Sequence, residues 1–192
     1  MKRIYLFFTL LIYSTTVFSQ KQNNQWRFGR DGGIDFNSSP PVFVSGSSIA
    51  TGEGSASVSD RNTGNLLFYT DGVTVWTAQN TIMPNGSNLR GGSNTLLSST
   101  TAAVIVPKPN STSQYYIFTI NELGAAAGFQ GLHYSVVDMS LNNGLGDVIP
   151  TQKNRFLLLT TSEKLEVIPA SNKQDYWIVT NDNQDFYSFR VS

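Results

Sequence analysis

The chain has 192 residues, with 13 basic and 13 acidic side chains for a net charge of zero, one histidine and no cysteine. A charged fraction of only 14% without a basic block argues against nucleic acid as a partner, because that requires clustered Lys and Arg. The missing cysteines exclude disulfides and lipid attachment at a cysteine, and the wealth of Ser, Thr, Asn and Gly beside 12% aromatics is the composition of an exposed β protein with many turns.

Residues 1–19 read as a secretory signal peptide. Met1, Lys2 and Arg3 form the charged start, residues 4–13 are apolar, and Val17 and Ser19 precede a cut between Ser19 and Gln20. The apolar run of about ten residues falls short of the roughly 20 that a membrane span needs. No membrane span is therefore expected after the leader is removed. What remains, roughly 170 residues, suits one domain. Without disulfides, an exported chain of this kind is held by packing alone.

Residues 20–52 form an N-terminal strand segment, and from residue 53 onward one pattern is written three times. Each copy has a short apolar strand, a polar turn, an aromatic strand ending near a Thr and an acid or amide, and a further apolar or aromatic strand. The first copy joins Ala56-Ser57-Val58-Ser59-Asp60 to Leu66-Leu67-Phe68-Tyr69-Thr70-Asp71-Gly72 and Val73-Thr74-Val75-Trp76. In the second, residues 102–109, 114–122 and 131–140 play these parts. In the third they fall to residues 164–171, 175–182 and 185–192. Thr70, Thr119 and Thr180 are about 49 and 61 residues apart, near or a little above the repeat of a four-stranded propeller blade.

No stretch keeps helical periodicity over 11 or more residues, and the nearest, residues 122–129, is interrupted by Gly124 and Gly128. Runs such as residues 66–69 and 115–120 are apolar without alternation, which implies burial on both faces. The expected fold is all-β, a partial β-propeller of about three blades of antiparallel strands whose ring is not closed. The blades would span residues 53–98, 99–159 and 160–192. A β-sandwich is the alternative, and it would show stricter alternation. Thr81-Ile82-Met83 and Asp147-Val148-Ile149 are candidate outer fourth strands, whereas the third copy has none before Ser192. Propellers close with four blades or more, so the chain reads as part of a longer one, expected to associate or misfold when alone.

These motifs resemble the amino-terminal region of large exported proteins of gliding Bacteroidetes-type bacteria, the type IX secretion, type B sorting-domain or gliding-motility-associated proteins. The resemblance runs from about Trp26 to the end. It rests on Phe28-Gly29 with Gly33-Ile34-Asp35-Phe36, on residues 53–60, and above all on Leu67-Phe68-Tyr69-Thr70-Asp71-Gly72-Val73-Thr74-Val75-Trp76. Met83-Pro84-Asn85-Gly86, Val104-Ile105-Val106-Pro107, residues 115–119, 134–139 and 144–148, Glu163-Lys164-Leu165 and residues 175–180 carry the rest. It implies a complete protein that continues through the propeller, often into immunoglobulin-like modules, and ends in a sorting domain read by the secretion machinery. Relatives often carry Cys where this chain has Ser55, and a basic or His-containing segment where it has Ile168-Pro169-Ala170.

Candidate chemistry is sparse. Asp71-Gly72 with Thr74 and Trp76 is similar to the Asp box of sialidase-type propellers, but Gly72 follows Asp71 directly, and a tight hairpin turn is the simpler reading. Trp26, Trp76 and Trp177 are candidate sugar-stacking platforms, although Trp76 and Trp177 sit in strands beside Val and Ile and read as core. His133 has no cysteine companions for zinc and reads as a satisfied or exposed strand histidine. Asn181, Asp182, Asn183 and Asp185 form an oxygen-rich turn without the Gly and Glu of a calcium loop. Gly144-Leu145-Gly146 precedes no helix and is a turn, not a phosphate cradle. No nucleophile elbow occurs, and no spacing singles out a glycosidase pair of carboxylates.

No catalytic residue, metal ligand or cofactor is therefore expected. The sequence points to a non-catalytic binding or adhesion module, secreted or on the outer-membrane surface of a Gram-negative bacterium and associated with gliding or attachment. An extracellular glycan or a surface protein is the expected partner. A propeller-type polysaccharide hydrolase and a purely structural spacer are the alternatives.

Overall fold

The computed structural model describes residues 20–92, 99–122 and 131–192. These residues are all-β, in four small antiparallel sheets, none of them closed on itself. The first sheet joins β1 (Gln25–Phe28), β2 (Arg30–Asp35) and β3 (Val42–Ala50), and the second joins β4 (Ala56–Ser59), β5 (Leu66–Thr70) and β6 (Val75–Thr77). In the third, β7 (Ala103–Pro107), β8 (Gln114–Ile120) and β9 (Leu132–Asp138) form a meander, with β10 (Asp147–Val148) and β11 (Arg155–Leu158) both paired to β9. The fourth is the meander of β12 (Leu165–Pro169), β13 (Tyr176–Asn181) and β14 (Phe186–Val191). Helix is confined to single 3-10 turns at Asn142–Gly144 and Pro150–Gln152, and among the described residues no helix is long and apolar enough to cross a membrane. The leader and its cut after Ser19 lie outside the described residues, as does most of the glycine-interrupted segment at 122–129.

The strand register makes the three sequence copies structurally equivalent. Thr70 pairs with Ala56, Thr119 with Ala103, and Thr180 with Leu165, and in each case the partner is the first residue of its strand. All three threonines are buried. The hairpins that follow β4, β7 and β12 are loops of six residues each, 60–65, 108–113 and 170–175. Each loop reverses through left-handed backbone, at Gly64 (φ 80°), Asn110 (φ 60°) and Lys173 (φ 57°).

The first strands of the sheets lie side by side in chain order, β1 against β4, β4 against β7, and β7 against β12. The strands β4, β7 and β12 run the same way. Gly54, just before β4, donates its N–H to Ser99 O (3.1 Å), and Glu163 Oε2, just before β12, accepts from Thr100 N (3.0 Å). The close approach of β4 and β7 needs glycine, since a Cβ on Gly54 would lie 2.5 Å from the Thr101 carbonyl carbon. By contrast β1 runs opposite to β4, because Gln25 lies beside Ser59 and Arg27 beside Ser57.

The N-terminal segment is thus more than a strand or two. It is a full three-stranded sheet, but its reversed direction and its β1–β2 link through the single residue Gly29 set it apart from the three repeats. It escapes the sequence pattern because β2 carries Gly32 and Gly33, and β3 carries Ser45, Gly46, Ser47 and Ser48, residues of low strand preference. Of the two candidate outer strands, Ile82 makes one isolated bridge to Trp76, and Asp147–Val148 is β10. β11 was not anticipated, although Phe156-Leu157-Leu158-Leu159 is an apolar run.

Packing follows the face that each side chain takes. From β5, Phe68 enters a cluster with Val58, Val75, Ile117 and Val137 between the second and third sheets, while its neighbour Tyr69 turns to Ile49 and Trp76 against the first. From β8, Ile117 faces the second sheet, and Phe118 joins Leu132, Ile178 and Val191 on the side of the fourth. The expected burial of both strand faces holds for these two runs. The outer sheets are covered on one face only: Trp26, Phe28 and Phe43 stay exposed on the first, and Ile168, Trp177 and Phe186 on the fourth.

Candidate functional site

The adjacent first strands line a cleft of about 960 Å³. Its walls are Trp26, Arg27 and Phe28 of β1, Ala56 and Ser57 of β4, Ala103, Val104 and Ile105 of β7, and Leu165, Glu166 and Val167 of β12. Glu53, Ser55, Thr100 and Thr101 line the end from which the three parallel strands start. A second hollow of about 750 Å³ opens where those strands finish, between the loops at 60–62, 107–112 and 172–174. Gln22, Pro107 and Tyr176 are walls of both, so the two are parts of one groove.

Serine side chains weld β1 to β4 along this groove. Ser57 Oγ donates to Gln25 O (2.8 Å) and accepts from Arg27 N (3.3 Å), and Ser59 Oγ accepts from Gln25 N (3.1 Å). The Arg27 guanidinium is tucked against its own sheet, donating to Trp26 O (2.8 Å) and Gln25 Oε1 (3.1 Å). Burial lowers its pKa, while Tyr69 and Asp35 pull the other way.

The two ends of the groove differ in charge. The starting end holds the exposed acids Glu53 and Glu166, with Arg27 already engaged. The finishing end holds Arg61, Lys108 and Lys173 against one acid, Asp60. The carboxylate of Asp60 is occupied by its own turn: Oδ1 accepts from Asn62 N (2.9 Å), Thr63 N (2.7 Å) and Thr63 Oγ1 (3.0 Å), and these bonds, the Thr63 N–H first, hold its pKa below the ordinary value. Tyr115 and Tyr176 form aromatic walls there. Burial pushes both phenols up, Asp60 adds to this at Tyr115, and Arg61 opposes it at both.

The residues singled out by sequence fall in several places. Gln20, on the far side of the expected cut, is exposed at the groove's mouth. Trp26 lines the cleft, packed on Phe36 with ring centroids 4.9 Å apart. Trp76 is core, stacked on Tyr69 at 5.4 Å. Trp177 is not core: it pairs with Ile168 and Arg190 on the open face of the fourth sheet and is 38% exposed, because no further sheet covers that face among the described residues. Ser55 and Pro169 both line the cleft.

Asp71-Gly72 is a hairpin turn. Asp71 Oδ1 accepts from Val73 N (2.9 Å) and Thr74 N (2.7 Å), and Gly72 has φ 90°, a backbone that L side chains rarely adopt, where a Cβ would also sit a tight 3.1 Å from Ala102 and the Gly91 carbonyl. Burial pushes the Asp71 carboxyl above its ordinary pKa despite those two bonds. In the acidic turn after β13, Asp182 Oδ1 accepts from Gln184 N (3.0 Å) and Asp185 N (2.8 Å), and Oδ2 from the Tyr187 hydroxyl (2.8 Å). These oxygens hold a turn. The residues 144–146 continue a 3-10 turn, with Gly144 and Gly146 both in left-handed backbone.

His133 is buried, not exposed, and a hydrogen bond to the Gly131 backbone acts on its imidazole. It is 6% accessible and edge-on to Phe156 at 5.5 Å, and among the described residues its Nδ1 has no hydrogen-bond partner, like the Oγ1 of Thr119 opposite it across the β8–β9 ladder. Burial lowers its pKa. Among the described residues no three His, Asp or Glu side chains come together as a metal site.

Sequence reasoning missed the cationic mouth. Arg61, Lys108 and Lys173 are isolated in the chain, and only equal loop lengths on three parallel strands bring them together. That signal was available in the six-residue spacing of the repeats. No family model, curated protein or solved structure matches the chain.

Proposed function

We propose that this chain is an exported binding or adhesion module, secreted or displayed on the surface of a Gram-negative bacterium, built as part of a β-propeller and using the groove between its first strands to hold an extracellular ligand. The observation that carries the reading is the side-by-side set of β4, β7 and β12, three equivalent strands running one way along a shared cleft. Propeller blades present their first strands to a central axis in this manner, whereas a sandwich stacks its sheets face to face. The first sheet, entered against the common direction, caps that series on one side. The leader at residues 1–19 and the resemblance to type IX secretion and gliding-associated proteins supply the proposed address and the attachment role.

The full-length exported protein is expected to bind on a glycan array or to an adhesion substrate. Silence across both would count decisively against the proposal. Sequencing the N-terminus of the exported protein is expected to begin at Gln20.

The hydrolase reading keeps one specific support, the pair Glu53 and Glu166 in the same cleft. It requires release of reducing ends from a polysaccharide, abolished by Glu53→Gln or Glu166→Gln. The binding reading expects no release of reducing ends by the parent or by either variant.

A further inference from the structure

We infer that the mouth at the finishing ends of β4, β7 and β12 binds an acidic polysaccharide, a chain of sugars bearing carboxylate or sulfate groups. The inference rests on the reading of the chain as an extracellular binding module and gives that module a ligand class. Three loops from three repeats each deliver one cation to the mouth: Arg61, Lys108 and Lys173. In a chain whose net charge is zero, this is a local excess of positive charge, three cations against the single carboxylate of Asp60, whose Oδ1 is turned to three donors of its own turn. A concave wall of one sign concentrates the field on what enters it.

The cations are available in different ways. Arg61 and Lys173 are exposed, and among the described residues their side chains make no hydrogen bond or ion pair. Lys108 is held: Nζ donates to Gln114 Oε1 (2.6 Å), and Gln114 Nε2 donates in turn to Asp138 Oδ2 (2.8 Å), which fixes the ammonium at the rim between Pro107 and Pro109. A guanidinium grips a carboxylate or sulfate with two parallel hydrogen bonds, and an ammonium serves as a point charge beside it.

Charge alone would suit any anion, and the rest of the wall narrows the choice. Tyr115 and Tyr176 offer ring faces to the apolar side of a pyranose, and Asn62, Ser111, Thr112 and Gln174 offer the donors and acceptors that hydroxyl groups need. The hollow, about 750 Å³, is of the size that ligand pockets have. Its cations come from separate loops around it, so a ligand that meets all three must extend across the opening, as a polymer does.

The test uses the whole chain and four probes: polygalacturonate for carboxylate, dextran sulfate for sulfate, uncharged dextran, and single-stranded DNA. Expected is binding to at least one acidic polysaccharide and not to dextran, weakened by added salt, with the two acidic polymers telling which anion is preferred. The double variant Arg61→Ala/Lys173→Ala is expected to lose about ten-fold or more in affinity, at an unchanged melting temperature, and Arg61→Lys/Lys173→Arg to keep most of it. Equal binding of dextran, undiminished binding by the alanine double variant, or preference for single-stranded DNA would overturn the inference. Retained adhesion to a neutral glycan by the double variant would overturn it while leaving the wider binding role intact; silence toward every ligand removes both.

Discussion

The junction between the first and second sheets and the junction between the second and third are built from opposite faces of the same strands, and they are held by different means. On β4, Val58 turns toward the third sheet and Ser57 toward the first; on β5, Phe68 and Tyr69 divide in the same way. The side facing the third sheet is a continuous apolar core with Val75, Met83, Leu89 and Ile117. The side facing the first sheet has a small cluster of Ile49, Tyr69 and Trp76, and hydrogen bonds do the rest: Ser57 and Ser59 to β1, and from Ser48 of β3 the N–H to the Tyr69 hydroxyl (2.8 Å) and the Oγ to Asn80 O (2.7 Å). The repeats are joined to one another by an apolar core with hydrogen bonds at its edges, such as Gly54 N to Ser99 O and Val148 N to Pro84 O, whereas the non-repeated sheet is joined to them mainly by directional bonds to backbone. The second kind of junction fits a strand that runs against the common direction, because side-chain hydroxyls can reach its N–H and C=O groups without ladder pairing.

Phe68→Ala should separate the two junctions most sharply. It removes a fully buried ring from the core of the second and third sheets, and a loss of about 3–5 kcal/mol is expected in denaturant unfolding. A loss below about 1 kcal/mol would break the comparison. Ser57→Ala should cost less, about 1–2 kcal/mol for two hydrogen bonds to β1. Its mark is local: amide exchange should quicken in β1 while β8 stays protected. If exchange quickens equally everywhere, the first sheet is no separate unit.

Two carboxylates give the smallest effect, with opposite signs. Asp71 is buried between these junctions with its pKa raised from 3.8, so its contribution is full below 3.8 and is lost as pH rises through the higher folded value. Asp71→Asn keeps an oxygen for both N–H groups and should therefore melt higher than the parent at pH 7, with the gap closing toward pH 3.8. Asp138 is held down to about 2, chiefly by the Gln114 amide and the Ser140 hydroxyl, so its contribution is present above 3.8 and lost as pH falls toward 2. Asp138→Asn should flatten the acid limb of the stability curve. A variant that leaves that limb unchanged would show that the turn adds nothing.

The strands that could be read directly were those whose burial is written in apolar runs. Leu66 to Tyr69 and Tyr115 to Ile120 announced strands covered on both sides, and the spacing of Thr70, Thr119 and Thr180 marked a common register. The Asp71-Gly72 turn was legible because its chemistry is local. The first sheet was not legible, since β2 and β3 lean on Gly and Ser and owe their place to the ladder they form with β1 and to Tyr69 and Trp76 of the second sheet. Trp177 misled for a different reason: a tryptophan between Tyr and Ile has the neighbours of a core residue, but strand alternation puts it on the face that stays open. His133 misled in the opposite direction, since a single polar residue in a strand gives no sign of how deeply its ring is buried. The cationic mouth depends on residues from three distant loops, joined in the sequence only by the equal loop lengths of the three repeats.

The central claim is that β4, β7 and β12 run together to one mouth, and it is open to direct measurement because the chain has no native cysteine. Spin labels on Asn62, Thr112 and Gln174, all exposed and one on each loop, would report the three distances by dipolar spectroscopy. All three pairs are expected to be short and similar, as befits tips around one opening. One short pair with the third label far across the molecule, as two stacked sheets would give, would contradict the account.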